Sequence, residues 1–190
     1  MRSISKRLFI GVDINDREIV NRLVEVRDKI KDLGKQNPTR REKMHITIGF
    51  LGDVSIRKTE KLVERLKLVE HQGFRTKIMG VDTFPNRDYI RVVYTGTEIG
   101  QLKSLRTEIM RKLPKDLKIK GENDYIPHIT LSRVKNISGK KKKYLKDRLE
   151  TLKDVRIGEI EVNRFQLKES IRRKDRSVYR TVHEYELDHK

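Results

Sequence analysis

The apolar residues of the chain follow two spacings, one typical of strands and one typical of helices. Short runs rich in Ile, Val and Leu predict strands, and they lie at 7–14, 44–51, 74–81, 89–95, 128–134 and 178–187. Between them, apolar residues recur every three or four positions, which predicts four amphipathic helices. The residues that mark the helices are Ile19, Leu23, Val26, Ile30 and Leu33; Ile56, Thr59, Leu62, Leu66 and Val69; Leu102, Leu105, Ile109 and Leu113; and Tyr144, Leu145, Leu149 and Leu152.

Local signals suggest where several of these elements begin and end. Gly34 closes the first predicted helix, Ser55 is the predicted N-cap of the second, and Pro114 follows the third. Residues 155–167 predict a strand whose alternation breaks near Gly158, as a bulge would cause.

Each half of the chain thus has the order strand–helix–strand–helix–strand. This repeat predicts an α+β fold with one domain over residues 1–190. Its two pseudo-symmetric lobes, interleaved in sequence, would each be an antiparallel-type sheet with helices on the outer face. A central cleft would lie between them.

The middle strand of each half carries the same short motif, HITIGFLG from residue 45 and HITLSRV from residue 128. Because side chains alternate along a strand, His45 and Thr47 share one face, and so do His128 and Thr130. The opposite faces hold Ile and Leu, which need helices to pack against. We therefore expect two imidazoles and two hydroxyls to converge in the cleft.

These groups suit acid–base chemistry on a phosphodiester without a metal. One imidazole can accept a proton while the other donates one, and hydroxyls can hydrogen-bond phosphate oxygens. A single such histidine is usually structural, but the matched pair favours catalysis. The alternative is a metal site that combines the histidines with Asp53 or Asp124; a Thr two residues after each His argues against it.

Charge and composition restrict the kinds of molecule that the protein is expected to bind. The net charge of +18 and the pI near 10.1 favour a polyanion, and nucleic acid is the usual one. A charge-rich surface of the kind found in thermophilic proteins is the alternative explanation.

The composition also excludes some classes of chemistry. With no cysteine, disulfides and thiolate chemistry are excluded, and no apolar run is long enough for a membrane span. The N-terminus lacks signal-peptide features, so we expect a cytoplasmic protein that is not membrane-bound, and the high charge favours a monomer.

The motifs HITIGFLG and PHITLSRV resemble the paired motifs of the 2H phosphoesterase superfamily, and the chain is most similar to LigT-type RNA 2′,3′-cyclic phosphodiesterases, also called 2′–5′ RNA ligases. KRLFIGVDI, GVDTFPNRDYIRVVYTG and FQLKES extend the resemblance over nearly the whole chain. The resemblance implies a bilobal fold and cofactor-free cleavage of a 2′,3′-cyclic phosphate at an RNA 3′ end to a 2′-phosphomonoester. Reverse ligation would be minor, and tRNA halves are a family-level example of the RNA partner.

Residue roles follow from the same resemblance. His45 and Thr47 would form the first motif, His128 and Thr130 the second, and Arg133 would bind phosphate. We assign His45 as the proton donor and His128 as the general base, although pseudo-symmetry leaves the reverse assignment open. A non-catalytic module that binds RNA ends is the rival function.

Several residues have two readings. Strict alternation puts Arg133 on the helix-packed face unless the strand ends or twists near Ser132, and a surface ion pair is its alternative role. Phe50 could stack on a base, but alternation favours the core. The basic segments TRREKMH, VKNISGKKKKYLK and IRRKDRSVYR could follow an RNA backbone or be solvated surface, and the last is the predicted turn between the final strands. His71, His183 and His189 are expected to be structural or on the surface.

Overall fold

The computed structural model describes residues 5–119, 125–173 and 177–188, and within these ranges the chain forms nine strands and four α-helices. The strands are β1 (Ser5–Asp13), β2 (Lys35–Pro38), β3 (His45–Ser55), β4 (Phe74–Pro85), β5 (Ile90–Thr97), β6 (His128–Asn136), β7 (Arg156–Val162), β8 (Arg164–Arg172) and β9 (Ser177–Glu186). The helices are α1 (Arg17–Asp28), α2 (Ile56–Leu66), α3 (Gly100–Lys112) and α4 (Gly139–Leu152).

One antiparallel sheet runs through the molecule in the order β7-β4-β5-β6-β3-β1-β8-β9, with β2 also paired to β6. At its centre β3 meets β6 through Ile46 and Ile129. The sheet curls so that its two outer edges approach each other, and the Gly73 amide donates to the Asp188 carbonyl at 2.9 Å. The predicted α+β class, with two related lobes around a cleft, is confirmed.

The lobes are interleaved along the chain. Strands β3, β1, β8 and β9 form one lobe, and β6, β5, β4 and β7 form the other, so four strands lie on each side of the β3–β6 junction. Helices α2 and α3 pack on the first lobe, whereas α1 and α4 pack on the second. Although α1 directly follows β1, it therefore covers the lobe that β1 does not belong to.

The helices form where the apolar spacing predicts them, and each buries most of its marker residues, although Ile56 and Tyr144 are exposed. Leu23, Leu62, Leu105 and Leu149, one from each helix, are fully buried. Burial of a leucine side chain contributes about 1.5–3 kcal/mol before entropy is counted. The Asp16 carboxylate accepts from the Ile19 amide to cap α1, and Ser55 caps α2 as predicted. None of the described helices is long and apolar enough to cross a membrane.

Two predicted boundaries are wrong. Residues 155–167 do not form one strand, because the chain passes from one lobe to the other at Asn163, which separates β7 from β8. The predicted irregularity near Gly158 is confirmed: its φ is 151°, and the register against β4 shifts beside it. Helix α1 ends at Asp28 rather than near Gly34, and turns carry Ile30 into the core.

Strand β2 was missed because its sequence, KQNP, is typical of a loop. It is a short strand that places Asn37 opposite Arg133 of β6. The predicted turn within residues 171–180 falls between β8 and β9, and its middle, residues 174–176, lies outside the described residues.

Candidate functional site

A cavity of about 1420 Å³ opens between the two lobes, and all five predicted site residues line it. They are His45, Thr47, His128, Thr130 and Arg133. Phe9, Phe50, Phe84 and Tyr179 also line it, together with cations from several loops and strands. The fold thus brings together residues that lie 83 positions apart in sequence, as the difference between 128 and 45 gives.

The two motifs face each other across the centre of the sheet. Ile46 pairs with Ile129 in antiparallel register, and both are fully buried on the helix side. The next positions outward are His45 with Thr130 on one side and Thr47 with His128 on the other. Because alternate residues face opposite ways, all four of these side chains project into the cavity. Each imidazole thus lies diagonally across from the other and next to a threonine of the opposite motif.

Both imidazoles are held by the same hydrogen bond. Nδ1 of His45 lies 2.7 Å from the carbonyl of Lys43, and Nδ1 of His128 lies 2.7 Å from the carbonyl of Ile126. A carbonyl oxygen can only accept, so Nδ1 carries the proton in both rings. The neutral rings therefore keep Nε2 unprotonated, available to accept a proton from a molecule in the cavity.

Each imidazole also packs against two aromatic rings that contact each other. The His45 ring centroid is 5.2 Å from that of Phe9 and 5.4 Å from that of Tyr179. The His128 centroid is 4.9 Å from Phe84 and 5.1 Å from Tyr94. These contacts fix the ring planes and exclude water from one side of each ring. The alternation rule does not identify these neighbours, because they come from other strands whose pairing the sequence leaves open.

Burial lowers the pKa of both histidines below the usual value of 6.5. For His45, Lys168 also acts to lower the pKa, while the Lys43 carbonyl and Asp13 act to raise it. For His128, Arg133 lowers the pKa and the Ile126 carbonyl raises it. Both rings are therefore neutral at pH 7. A bound anion would favour the protonated form of either ring.

Arg133 reaches the cavity because β6 contains a bulge. Ser132 pairs with Val93 but Thr130 pairs with Tyr94, so Leu131 is an extra residue in β6. Leu131 and Ser132 are both buried, and the alternation resumes with Arg133 on the cavity side. Among the described residues Arg133 has no ion-pair partner, which argues against the surface-pair reading.

An equivalent bulge lies in β3. Gly49 pairs with Ile10 but Thr47 pairs with Gly11, so Ile48 is the extra residue. Phe50 therefore faces the cavity and is 50% exposed, and its predicted place in the core is wrong. Phe50 and Arg133 both follow their histidine by five positions, so the two lobes present different groups at matching places.

Close backbone approach explains one glycine next to the site. Gly11 lies opposite Thr47 in β1. A Cβ atom there would lie 3.0 Å from the Ile46 carbonyl and 3.5 Å from Cδ2 of His45. The absence of a side chain at residue 11 therefore lets the backbone of β3 approach β1 closely at Ile46, next to His45.

The metal alternative has little support in the described residues, which contain no group of three or more His, Asp or Glu that could hold a metal ion. Asp53 is eight residues beyond His45 on the same strand, or about 26 Å away, so the two cannot share a metal. Asp124 lies outside the described residues.

The other histidines take no part in the site as far as the structure describes them. His71 hydrogen-bonds the Gln72 carbonyl and Ser104 away from the cavity, and His183 stacks on Tyr185. His189 lies outside the described residues.

The charge around the cavity is of one sign. Six cationic side chains line it, and none of the described lining residues is acidic. These cations are Arg7, Arg40, Lys43, Arg133, Arg172 and Arg173. Lys43 also lies over the ring of Tyr179, 5.6 Å from its centroid, and donates to the Ser177 carbonyl. The arrangement can bind a phosphate ester and can both accept and donate protons at Nε2.

A family model and the named relatives that match this chain all point to the same family. The model of the AKAP7 2′5′ RNA ligase-like domain matches residues 8–187. A protein of Methanocaldococcus jannaschii named RNA 2′,3′-cyclic phosphodiesterase is 37% identical over 180 residues, covering 94% of this chain and 99% of that protein. A protein of Archaeoglobus fulgidus with the same name is 32% identical, covering 95% of this chain and 99% of that protein.

Solved structures share the fold. The crystal structure of TT0787 of Thermus thermophilus has a TM-score of 0.79 and 24% identity, covering 95% of this chain and 97% of that one. That of E. coli LigT complexed with 3′-AMP has a TM-score of 0.76 and 21% identity, covering 97% and 99%.

Proposed function

The chain belongs to the LigT-type 2H phosphoesterases, the family of the AKAP7 2′5′ RNA ligase-like domain, and on this premise we propose that it hydrolyses 2′,3′-cyclic phosphates at RNA ends to 2′-phosphomonoesters. The observation that carries the proposal is the pair of matched His–Thr units in one cavity, in which each Nδ1 is bound to a backbone carbonyl and every charged residue of the described lining is a cation. Relatives that carry the corresponding name cover nearly the whole chain.

The reaction needs one proton accepted and one donated. His128 removes a proton from water as the water oxygen attacks phosphorus in line with the P–O3′ bond. That bond breaks, and O3′ leaves with a proton from His45. The phosphate stays on O2′. The proton that His128 has taken returns through solvent to His45, which restores both rings. The steps need no metal and no cofactor.

The remaining groups hold the phosphate. Thr47 and Thr130 donate their hydroxyl protons to the non-bridging oxygens, and Arg133 binds the same oxygens with two parallel donors. The negative charge of the substrate also offsets the burial that keeps His45 neutral, so the bound state can supply a protonated donor. Charge on the oxygens rises as the bond to water forms, so these contacts strengthen in the transition state.

The two histidines differ in that, among the described residues, only His45 has a carboxylate beside it, and this difference is the basis for assigning His45 as the donor. Asp13 pairs with His45 across β1 and β3, and its carboxylate favours an imidazolium there. Lys168, which donates to both oxygens of Asp13, opposes this effect and lowers the pKa of His45 more than Asp13 raises it, so the protonated donor forms when the substrate's negative charge is present. The group that acts on His128 by charge is Arg133, which favours a neutral base.

The rest of the cavity suits an RNA end. The exposed ring of Phe50 offers a stacking surface for a base, and the cations along the rim can contact the preceding phosphates. The protein would act as a monomer on ends such as those of tRNA halves. Joining a 5′-hydroxyl to a cyclic phosphate is the reverse step, and water at its bulk concentration keeps it minor.

A turnover assay on 2′,3′-cyclic AMP and on a short RNA with a cyclic phosphate end tests the proposal. We expect conversion to the 2′-phosphate, resolved from the 3′-phosphate by thin-layer chromatography, and equal rates before and after exhaustive EDTA treatment. Tight binding without turnover would favour the rival, a non-catalytic RNA-end-binding module. Loss of activity in EDTA that a divalent ion restores would favour a metal mechanism.

A further inference from the structure

A buried arginine from α3 completes the bulge of the first motif. The bulge at Ile48 interrupts the regular pairing of β3 with β1. Nη1 of Arg106 donates to the backbone carbonyl of Ile48, and Arg106 is only 5% exposed. A guanidinium at this depth is costly unless its hydrogen bonds are made. Arg106 therefore ties α3 to the residue directly after Thr47.

A tyrosine from the segment before the second motif reaches the same place. The hydroxyl of Tyr125 donates to the carbonyl of Thr47 at 3.3 Å, and the Arg106 guanidinium lies 4.7 Å from the centroid of the Tyr125 ring. Tyr125 precedes His128 by three positions. Between them, the Pro127 carbonyl accepts from the amide and the hydroxyl of Thr97. A short segment, fixed by these hydrogen bonds to Thr97, thus joins Tyr125 to the second histidine.

The other bulge is completed differently. In β6 the carbonyl of the extra residue, Leu131, accepts from the backbone amide of Thr39 at 2.9 Å. A backbone amide is enough to satisfy a bulge carbonyl, so a buried guanidinium at Ile48 is more than local hydrogen bonding requires. What the Arg106–Tyr125 pair adds is a link between β3, α3 and the segment that leads to His128.

We propose that Arg106 and Tyr125 are positioning residues, which set the placement of the His45–Thr47 unit relative to His128. The inference rests on the proposed function for its catalytic readout. Ile46 and Ile129 join the two motifs at the backbone, and the Arg106–Tyr125 pair adds a second connection on the far side of Thr47. An in-line reaction between two side chains tolerates little displacement, and an error of about 1 Å can cost about 100-fold in rate.

The chain offers a matched control for Tyr125. The hydroxyl of Tyr185 donates to the Val63 carbonyl, also at 3.3 Å, and Tyr185 does not line the cavity. Tyr125→Phe and Tyr185→Phe therefore remove the same kind of bond, one at the motifs and one elsewhere. We expect Tyr125→Phe to lower kcat on 2′,3′-cyclic AMP about 5- to 20-fold and to raise KM about fivefold, because the phosphate group is held less well. Tyr185→Phe should keep kcat within about twofold at a similar loss of Tm.

A second pair of variants tests Arg106 itself, with Arg106→Lys as the variant and Arg22→Lys as its control. Nη1 of Arg22 also donates to a backbone carbonyl, that of Ile157, but away from the site. Lysine keeps the charge but loses the planar fork, so Arg106→Lys should also lower kcat more than its control. This pair decides the question if Tyr125→Phe does not fold. Equal kcat in Tyr125→Phe and Tyr185→Phe, or in the two lysine variants, would overturn the proposal.

A binding measurement separates this inference from the proposed function. Titration with inorganic phosphate, followed by the imidazole signals of His45 and His128 in NMR spectra, needs no turnover. We expect both signals to move in the original protein and phosphate to bind about fivefold more weakly to Tyr125→Phe but not to Tyr185→Phe. If the original protein does not turn over a cyclic phosphate, the proposed function fails, while this titration still decides the positioning role. Unchanged phosphate affinity in Tyr125→Phe would then contradict it.

Discussion

At the scale of single residues, the two histidines are alike in their hydrogen bonds but differ in their charged neighbours. Each donates from Nδ1 to the carbonyl two positions earlier, so each presents Nε2 to the cavity. Asp13 and Lys168 lie near His45, whereas Arg133 lies near His128. The different roles proposed for the two histidines therefore depend on surrounding residues rather than on the motif itself.

The lowered pKa values of His45 and His128 predict a pH-dependent stability. In the unfolded chain both rings have a pKa near 6.5, and burial lowers both in the folded protein. Just below this pH the unfolded state binds more protons than the folded state. The free energy of unfolding is therefore highest above about pH 6.5, and it falls as the pH drops from there toward the lowered pKa values. In urea unfolding, the His45→Gln/His128→Gln double variant should lose less stability on acidification than the original protein. The same acid dependence in both proteins would contradict this.

At the scale of elements, the sequence predicts the site up to the two bulges and fails beyond them. Alternation places His45, Thr47, His128 and Thr130 on cavity faces because those residues precede the irregularity in each strand. The extra residues Ile48 and Leu131 then reverse the pattern, which brings Phe50 and Arg133 to the cavity. Each bulge is completed by a distant donor, Arg106 or Thr39, so the local sequence does not reveal it.

The close approach of β1 to the first motif can be tested at Gly11. Gly11→Ala would place a Cβ 3.0 Å from the Ile46 carbonyl and 3.5 Å from the His45 ring, so the two strands must move apart slightly. We expect a stability loss of about 1–3 kcal/mol and a fall in kcat of about tenfold or more. In the control Gly100→Ala, a Cβ meets nothing within 4 Å, and stability should stay the same or rise slightly. Urea unfolding and turnover measure both effects, and an active, fully stable Gly11→Ala protein would contradict them.

At the scale of the whole molecule, the repeat of strands and helices predicts the α+β class and the cleft between lobes. It does not predict which helix covers which lobe, because that depends on long-range pairing: α1 crosses to the lobe of β6 and β7, and α3 crosses to that of β3. The overall positive charge is likewise visible in the sequence. Its concentration around one cavity appears only once strands and loops from both halves are brought together.

This concentration of cations predicts a salt-dependent affinity for RNA. Binding of a short single-stranded RNA ending in a 2′-phosphate should weaken linearly in log–log form with salt, with a slope of about −0.7 for each phosphate contact. Arg40→Gln, at the cavity, should reduce the slope by about 0.7. Arg75→Gln, at the far end of β4 and paired with Glu159, should leave it unchanged. Fluorescence anisotropy at several salt concentrations measures these slopes, and equal slopes in both variants would place the RNA elsewhere.

The central claim is that His45 and His128 act together as acid and base on a cyclic phosphate, and single-turnover hydrolysis by alanine variants tests it most directly. On an RNA with a 2′,3′-cyclic phosphate end, His45→Ala and His128→Ala should each lower the rate by about 10² to 10⁴. Both proteins should keep a cooperative unfolding transition, and His183→Ala, which lies outside the cavity, should retain full activity. A folded His45→Ala or His128→Ala protein whose rate stays within about tenfold of the original would contradict the two-histidine mechanism.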